Sequence, residues 1–376
     1  MRKIVLAFDS FKGSLASVEV AEAFMAGVRE RTSEVECRVV AIADGGEGMA
    51  EAVVGSVGGE MVAAQACDPL GRVIEACYGV IDNGVTAVIP ISSASGITLL
   101  AADERDPLVA TTYGTGELIL DAVGRGCRRV IVGLGGSATN DGGVGMLRAL
   151  GYKFFDVDNV ELTTTIAILE RMAVIVPPVD SPIADIEICV AVDVDNPLCG
   201  PRGASYIYAG QKGANASTME RLDRALRHYA SVVAEWRGDD ISAMEGMGAA
   251  GGAGFAFGAV LGVMPSSGIE LILNLVDFDN IVADASLVVT GEGRIDRQTV
   301  MGKAPAGVLG RARRAGVRCV AVGGGVEWCD ELRNSDFDAI YAATPEGMPL
   351  DIAMKREVAI ANIKRVATSI IKDFAE

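Results

Sequence analysis

The stretch Gly135-Gly136-Ser137-Ala138-Thr139-Asn140-Asp141-Gly142-Gly143-Val144-Gly145 constrains this chain more than any other. An apolar run, Val130-Ile131-Val132-Gly133-Leu134, leads into it, and a helix-compatible run, Met146-Leu147-Arg148-Ala149-Leu150, leads out. The pattern predicts a strand, a glycine-rich turn and a helix start. Such a turn lets backbone approach a ligand closely and aims N–H groups at it. Ser137, Thr139, Asn140 and Asp141 add hydroxyl, amide and carboxylate groups at the same place. A simple helix cap needs only one Asn or Asp. Five glycines among four polar residues exceed that need, so the stretch reads as a ligand loop.

The chain around this loop is 376 residues long, enough for two or three domains with ample core. Half of it is hydrophobic, 46 residues are glycine and only 5% are aromatic, a small-residue composition typical of α/β proteins. Lys and Arg number 33 against 50 Asp and Glu, a formal charge of −17. Bulk binding to nucleic acid or to an anionic membrane needs a basic surface, so neither partner is expected. Local phosphate binding through glycine loops, a few cations and a metal ion remains open to an acidic chain. The eight cysteines are scattered with no C-x-x-C pair and read as buried thiols of a reducing compartment. The single histidine, His228, sits in a helix-like stretch and reads as a helix-face residue, and multi-histidine metal sites are excluded. The start of the chain, Lys3-Ile4-Val5-Leu6-Ala7-Phe8, reads as a strand without the apolar core of a signal peptide. No uninterrupted apolar run of about 18 residues suggests a membrane span. A cytoplasmic protein is expected, and the sequence carries no signal of oligomeric state.

Along the chain, strand 3–8, the loop Asp9-Ser10-Phe11-Lys12-Gly13-Ser14 and a helix over 17–31 form the first unit. Strand 35–42 follows and ends at Ala43-Asp44-Gly45-Gly46-Glu47-Gly48 before another helix. Strands alternating with helices, with loops at the strand C-terminal ends, signal a doubly wound α/β fold. Near residue 60 the texture changes to short strands over 60–67, 72–81 and 85–91, the last two joined by a hairpin-like Asp82-Asn83-Gly84. A helix over 114–123 precedes the 130–150 strand, loop and helix. Residues 153–185 carry no clear pattern. Strand 186–192 ends at Asp193-Val194-Asp195-Asn196, and a helix covers 217–237. The glycine- and alanine-rich stretch 246–262 fits either a tightly packed small-residue helix or a ligand-facing loop. The C-terminal part returns to α/β order: strand 286–290, the loop Thr290-Gly291-Glu292-Gly293-Arg294-Ile295-Asp296, helix 304–315, strand 317–322, Gly323-Gly324-Gly325, strand 338–342 and a terminal helix over 351–373. The expected organisation is a discontinuous Rossmann-like domain, 1–62 with 285–376, and an inserted mixed α/β domain, 63–284. One internal echo stands out. Asp44-Gly45-Gly46-Glu47-Gly48-Met49 and Asp141-Gly142-Gly143-Val144-Gly145-Met146 share D-G-G-x-G-M, so two similar loops could face each other across one cleft, or one convenient turn is used twice.

The familiar phosphate and nucleophile motifs are missing. G-x-x-x-x-G-K-[ST], a strand-following G-x-G-x-x-G, the kinase H-R-D and D-F-G pairs and the G-x-S-x-G elbow are all absent. What remains is a set of strand-end loops carrying carboxylates, amides and isolated cations: Asp9 with Lys12, Asp44 with Glu47, Asn140 with Asp141, Asp193 with Asn196, and Glu292, Arg294, Asp296 and Lys303. Phosphoryl transfer uses this mixture. Carboxylates hold Mg²⁺, a cation neutralises the moving phosphoryl group, and glycine N–H groups cradle phosphate oxygens. A carboxylate beside the acceptor hydroxyl can take its proton.

The ordered motifs Asp9 to Ser14, Ala43 to Gly48, Gly135 to Gly143, Thr112-Tyr113-Gly114-Thr115-Gly116-Glu117, Asp193 to Leu198, Gln211-Lys212-Gly213-Ala214 and Thr290 to Asp296 resemble the class I bacterial glycerate kinase family. The resemblance runs from Lys3 to about Phe374. It implies phosphorylation of glycerate with ATP and Mg²⁺, most often to 2-phosphoglycerate, on two α/β domains, one Rossmann-like, with the active site between them. Under that reading Lys12 contacts a phosphate or the glycerate carboxylate, with Ser10 beside it. Asp44 and Asp193 position Mg²⁺ or serve as general base. Gly45, Gly46, Gly136, Ser137, Thr139, Asn140, Asp141 and Asn196 hold substrate or phosphate. Glu292, Arg294 and Asp296 complete the site from the C-terminal part. The sequence departs from the family at Pro90, where a Glu is usual, in the absence of a glycine-rich stretch between Asp156 and Met172, and at Ala209-Gly210-Gln211, where a Pro is usual. These departures bear on substrate preference. A glycerate 3-kinase, a kinase of another small hydroxy acid, a non-catalytic metabolite-binding regulator and a Mg²⁺-dependent phosphatase are the alternatives.

Overall fold

The computed structural model describes residues 2–42 and 45–374, so the expectation for Asp44 lies outside the described residues. The chain forms two compact units. One takes residues 2–42, 51–58 and 269–374, the other 45–50 and 59–268.

The first unit is built on a five-stranded, fully parallel sheet in the order Ala339–Ala342, Cys319–Val326, Leu287–Ile295, Lys3–Phe8, Glu36–Val39. The central strand is apolar at every position from Ile4 to Phe8, as a parallel strand buried on both faces must be. Ile4, Leu6, Phe8, Val289 and Val322 join a core with Val20, Phe24 and Val28 of helix Ser17–Arg29 and with Ile363, Val366 and Ile370 of helix Arg356–Phe374. The Phe8 and Phe24 rings pack tilted, 5.7 Å apart. The alternate residues Val5, Ala7 and Val288 are buried too, and helix Ala304–Arg314 packs against Leu287–Ile295 and Cys319–Val326. This is the doubly wound arrangement.

Two boundaries differ from expectation. The segment read as a loop, 290–296, is the continuation of strand Leu287–Ile295. It finds its partner in the three glycines expected to end the next strand, which instead lie within Cys319–Val326. Glu292 registers with Gly323 and Arg294 with Gly325. The terminal helix is divided into Leu350–Ala353 and Arg356–Phe374.

The second unit holds a six-stranded mixed sheet in the order Ser266–Ser267, Glu187–Val192, Arg129–Gly133, Thr86–Pro90, Val73–Ile81, Glu60–Cys67. The first four strands are parallel, and the 60–67, 73–81 and 86–90 strands form the antiparallel portion. The stretch without a clear pattern, 153–185, contains a second small antiparallel sheet of Glu161–Leu162, Lys153–Phe155 and Val174–Val176 with helix Thr165–Arg171. Its strands are two or three residues long, too short to show alternation in sequence. The glycine-rich stretch resolves in favour of packing. Helix Ala249–Phe255 is broken by left-handed backbone at Ala250, Gly251 and Gly252, passes into a π-turn at Ala256–Val260, and is buried throughout. The cysteines need correction. All eight are free thiols, but only Cys127 and Cys319 are buried and Cys77 is exposed, because it points to the outer face of an antiparallel strand. His228 lies on helix Ala216–Arg237 with its Nε2 2.9 Å from the carbonyl of Met172, a helix-face residue as expected. No described helix is long and apolar enough to cross a membrane.

Candidate active site

The expected site residues fall into two groups, one in each unit. In the first unit a cavity of about 480 Å³ opens at the C-terminal ends of the parallel strands, where ligands of open α/β sheets bind. Ser10, Lys12, Glu292, Arg294 and Asp296, widely separated in sequence, all line it. The loop after strand Lys3–Phe8 is held by its own backbone. Phe11 N–H donates to the Leu15 carbonyl (2.9 Å), Gly13 takes a left-handed φ of 78°, and the Asp9 carboxylate accepts from Ser10 N–H (2.7 Å). Glu292 accepts from the Thr299 hydroxyl (2.7 Å) and lies 3.5 Å from the Lys303 ammonium. Burial pushes the Glu292 carboxyl above its usual range, and the Thr299 and Lys303 contacts oppose the shift. Asp296 caps the short helix Arg297–Val300 by accepting from Gln298 N–H (2.8 Å). Arg294 pairs with Glu327. Lys303, read in sequence as one of the strand-end cations but given no role, stands at the N-terminus of helix Ala304–Arg314 and also lines the cavity.

In the second unit the loop after strand Arg129–Gly133 is almost entirely buried. Its expected role as a source of free N–H groups holds for fewer positions than the glycine count implies. The N–H of Gly135 donates to the Gly45 carbonyl (3.2 Å), that of Ala138 to Ser95 (2.8 Å) and that of Gly142 to Gly251 (2.9 Å). Those of Gly143 and Gly145 donate to Asp141. The two D-G-G-x-G-M loops therefore do not face each other across a cleft. They pack backbone against backbone: a Cβ on Gly135 would lie 2.5 Å from the Gly46 Cα.

Asp141 is fully buried and accepts four hydrogen bonds, from Thr112 N–H (2.7 Å), the Thr112 hydroxyl (2.8 Å), Gly143 N–H (3.0 Å) and Gly145 N–H (3.2 Å). The Thr112 hydroxyl accepts from Met146 N–H, so its own proton is directed at the carboxylate. Burial pushes the Asp141 carboxyl upward while the four donors pull against it. A group that receives four donors is suited to the carboxylate form. Asp141 thereby pins the loop to helix Tyr113–Gly124 and to the start of helix Val144–Ala149.

The residue that sequence reading left out of the site set is Lys212. It was visible only as part of Gln211-Lys212-Gly213. Its side chain is buried, and its ammonium donates to the Ser137 hydroxyl (2.9 Å) and the Thr139 carbonyl (2.6 Å). Burial holds it down to about 7, with the Asp141 charge opposing. Beside it, the Thr139 hydroxyl and the Asn140 side-chain carbonyl are buried without a hydrogen-bond partner, while the Asn140 amide nitrogen donates to Ser205 (3.1 Å). Unmatched buried polar atoms are uncommon in a finished core and mark a place where a ligand can complete the set. Gly136 carries a left-handed φ of 78°. Asp193 follows strand Glu187–Val192 and accepts from Gly268 N–H (2.9 Å). Asn196 is buried, tied to the Arg202 carbonyl and the Tyr208 hydroxyl.

The described residues contain no group of three or more His, Cys, Asp or Glu side chains able to hold a metal ion. Mg²⁺ in phosphoryl-transfer sites is held through one or two carboxylates plus substrate phosphates. Asp193 in the second unit, and separately Glu292 and Asp296 in the first, are oxygen donors of the kind that mode uses.

Comparison with known proteins agrees with this geometry. A profile of the glycerate kinase family matches residues 4–375. Glycerate 2-kinase of Escherichia coli (strain K12) is 40% identical over 375 residues, covering 99% of this chain and 98% of its own. Glycerate kinase of Bacillus subtilis (strain 168) is 40% identical over 355 residues, 94% and 93% of the two chains. A crystal structure from Salmonella typhimurium LT2, of a protein assigned as glycerate kinase 2, superposes with a TM-score of 0.85 at 38% identity over 99% of this chain and 98% of that one. With five of the expected residues at the strand ends of one unit and a family profile that spans nearly the whole sequence, this chain belongs to the glycerate kinase family.

Proposed function

We propose that the protein transfers the γ-phosphoryl group of ATP to glycerate and yields 2-phosphoglycerate. The observation that carries this reading is the buried Lys212 ammonium on the Ser137–Thr139 loop, next to the unmatched Thr139 hydroxyl and Asn140 carbonyl. An anionic acid with hydroxyl groups offers what such a set lacks. The name of the Escherichia coli relative supports the choice of the 2-position.

In the reaction the acceptor hydroxyl oxygen bonds to the γ-phosphorus as the bond to the β,γ-bridging oxygen breaks, and ADP leaves. The hydroxyl proton passes to a carboxylate. Asp193 is the leading candidate for this base, with Asp44 as the other. The same two side chains are the proposed Mg²⁺ ligands. When bound, the ion neutralises charge on the phosphates. Lys12, Ser10, Arg294, Asp296 and Glu292 serve the phosphate end of the nucleotide, and Gly45, Gly46, Gly136, Ser137, Thr139, Asn140, Asp141 and Asn196 form or brace the acid site. The same reading places the protein in the cytoplasm, which its eight free thiols support, and treats the Rossmann-like and mixed units as separate domains.

Purified protein incubated with ATP, Mg²⁺ and glycerate should release ADP, and phosphorus NMR of the product should show the 2-phosphate. No release above background sinks the proposal, and a 3-phosphate signal replaces its product. Asp193→Asn keeps the oxygen that accepts from Gly268 N–H and removes only the charge and basicity. Turnover is expected to fall about 100-fold or more with the melting temperature unchanged. Lost stability with retained turnover would reassign Asp193 to structure. A second reading, a kinase of another small hydroxy acid, rests on Pro90, which closes strand Thr86–Pro90 where the family usually carries a Glu. A panel of hydroxy acids separates the two.

A further inference from the structure

In the second unit the stretch from Ala204 to Lys212 grips two strand-end loops at once. One loop, with Asn140, follows strand Arg129–Gly133, and the other, with Asn196, follows its sheet neighbour Glu187–Val192. Three side chains of the stretch, spaced three and four residues apart as on one helix face, reach these loops. Ser205 bonds Asn140, Tyr208 bonds Asn196, and Lys212 bonds Ser137 and Thr139. Tyr206 and Ile207, on the other face, are exposed. The stretch is itself anchored. Ala204 N–H donates to the Leu198 carbonyl (3.1 Å), and Ala204, Ser205 and Ala209 are fully buried.

The two asparagines, both buried, are served unequally. Asn196 has a partner at each end of its amide: the Arg202 carbonyl accepts from Nδ2 (2.7 Å), and the Tyr208 hydroxyl donates to Oδ1. Asn140 has a partner at one end. Its Nδ2 donates to the Ser205 hydroxyl (3.1 Å), and its enclosed Oδ1 has no partner. One hydroxyl cannot serve both ends of an amide, so the end that Ser205 does not hold is left for another group. By holding the nitrogen, Ser205 leaves an acceptor. An unmatched buried acceptor costs stability, and a site that keeps one is suited to receive a donor. A hydroxyl is such a donor and an ionised carboxylate is not. An amide carbonyl is also too weak a base to take a proton, so the hydroxyl it holds is not the one that reacts.

We propose that Asn140 Oδ1 accepts from the hydroxyl of the acid that is not phosphorylated, and that Ser205 is the positioning residue that turns the Asn140 amide for this task. Asn196, held at both ends, braces its loop and does not touch the acid. The protein is then selective for a dihydroxy acid over a monohydroxy acid. The inference rests on the hydroxy-acid kinase reading for the class of substrate, and it adds which hydroxyl is read and what sets the reader.

Steady-state kinetics of the full chain with glycerate and with lactate, which lacks only the 3-hydroxyl, test it. Where phosphorus NMR shows the 3-phosphate, 3-hydroxypropionate takes the place of lactate. Wild-type protein should favour glycerate in kcat/KM by about 100-fold or more. Ser205→Ala should reduce that ratio about tenfold by raising KM for glycerate, with kcat and the constants for lactate little changed. Tyr208→Phe frees Asn196 instead and should change both acids alike, leaving the ratio as it was. A purely structural Ser205 would lower the melting temperature and move both acids together, and that result overturns the inference. So does a wild type that uses lactate within about threefold of glycerate, a result that needs no variant to fold and leaves the proposed function standing. In a protein without kinase activity, calorimetric binding of glycerate at least tenfold tighter than lactate would uphold the inference while ending the proposed function. Binding of neither acid overturns both.

Discussion

Lys212 is a buried lysine whose chemistry departs far from its ordinary behaviour. Burial lowers its proton affinity from near 10.5 to about 7, so between those values the unfolded chain binds a proton that the folded chain does not. Folding stability from this group is therefore least below pH 7 and improves as pH rises from 7 towards 10. Lys212→Met removes the dependence. Chemical denaturation at pH 6 and pH 9 should show the wild type gaining relative to the variant as pH rises, and parallel profiles would contradict the buried-ammonium picture. At this scale the sequence was partly legible. Ser10, Lys12, Glu292, Arg294 and Asp296 could be picked as polar residues near strand ends, and the fold gathers them at one cavity. Lys212 could not, because a lysine in a short helical turn after Gly210 is ordinarily exposed, and only long-range contact with Ser137 and Thr139 buries it. Asp141 could be read as polar loop chemistry but not as the acceptor of four donors, two of which come from Thr112.

Among the elements, the glycine-rich helix Ala249–Phe255 acts as a backing plate for the 135–145 loop. At Gly251 the backbone has a φ of 68°, and a Cβ there would stand 2.1 Å from the Thr139 carbonyl oxygen, the same oxygen that holds Lys212. Gly251→Ala meets both a disfavoured left-handed backbone region and a backbone clash. A loss of about 2 kcal/mol or more in unfolding free energy is expected, measured by urea denaturation, together with a raised KM for the acid substrate. An unchanged urea midpoint would mean that the loop and helix are not packed as described. Composition alone left this stretch undecided between a packed helix and an open loop, since small residues serve both. The 287–295 strand was cut short in sequence because glycine at 291 and 293 reads as punctuation. Its true length depends on the glycines at 323–325, which leave room for the opposing backbone. The long periodic helices, by contrast, were readable to within a few residues, as with Ala216–Arg237, whose Asn215 cap and Gly238 terminator are local signals.

For the molecule as a whole, the net charge of −17 is the property most exposed to solution conditions. Like charges repel in the compact state, and the substrates proposed here are themselves anions. Raising the ionic strength from low to physiological values shortens the screening range to about 8 Å, which should relieve both effects. The expected outcome is a melting temperature that rises with sodium chloride over this range, together with faster nucleotide association. A melting temperature that falls instead would place the dominant charge effect in favourable ion pairs such as Arg311 with Glu270 and Asp279.

The parallel pairing of Lys3–Phe8 with Leu287–Ile295 also sets a timetable for biosynthesis. Residues 59–268 leave the ribosome as a continuous run and can collapse as they emerge. The first strand can pair early only with the short Glu36–Val39. Its other neighbour is made about 280 residues later, an interval of about 15 to 60 seconds at ordinary elongation rates of roughly 5–20 residues per second. Through that interval the nascent chain carries a strand that is apolar from Ile4 to Phe8, with one open edge. The N-terminal segment is consequently the part of the molecule most dependent on a holding chaperone, and the part from which aggregation during synthesis would start.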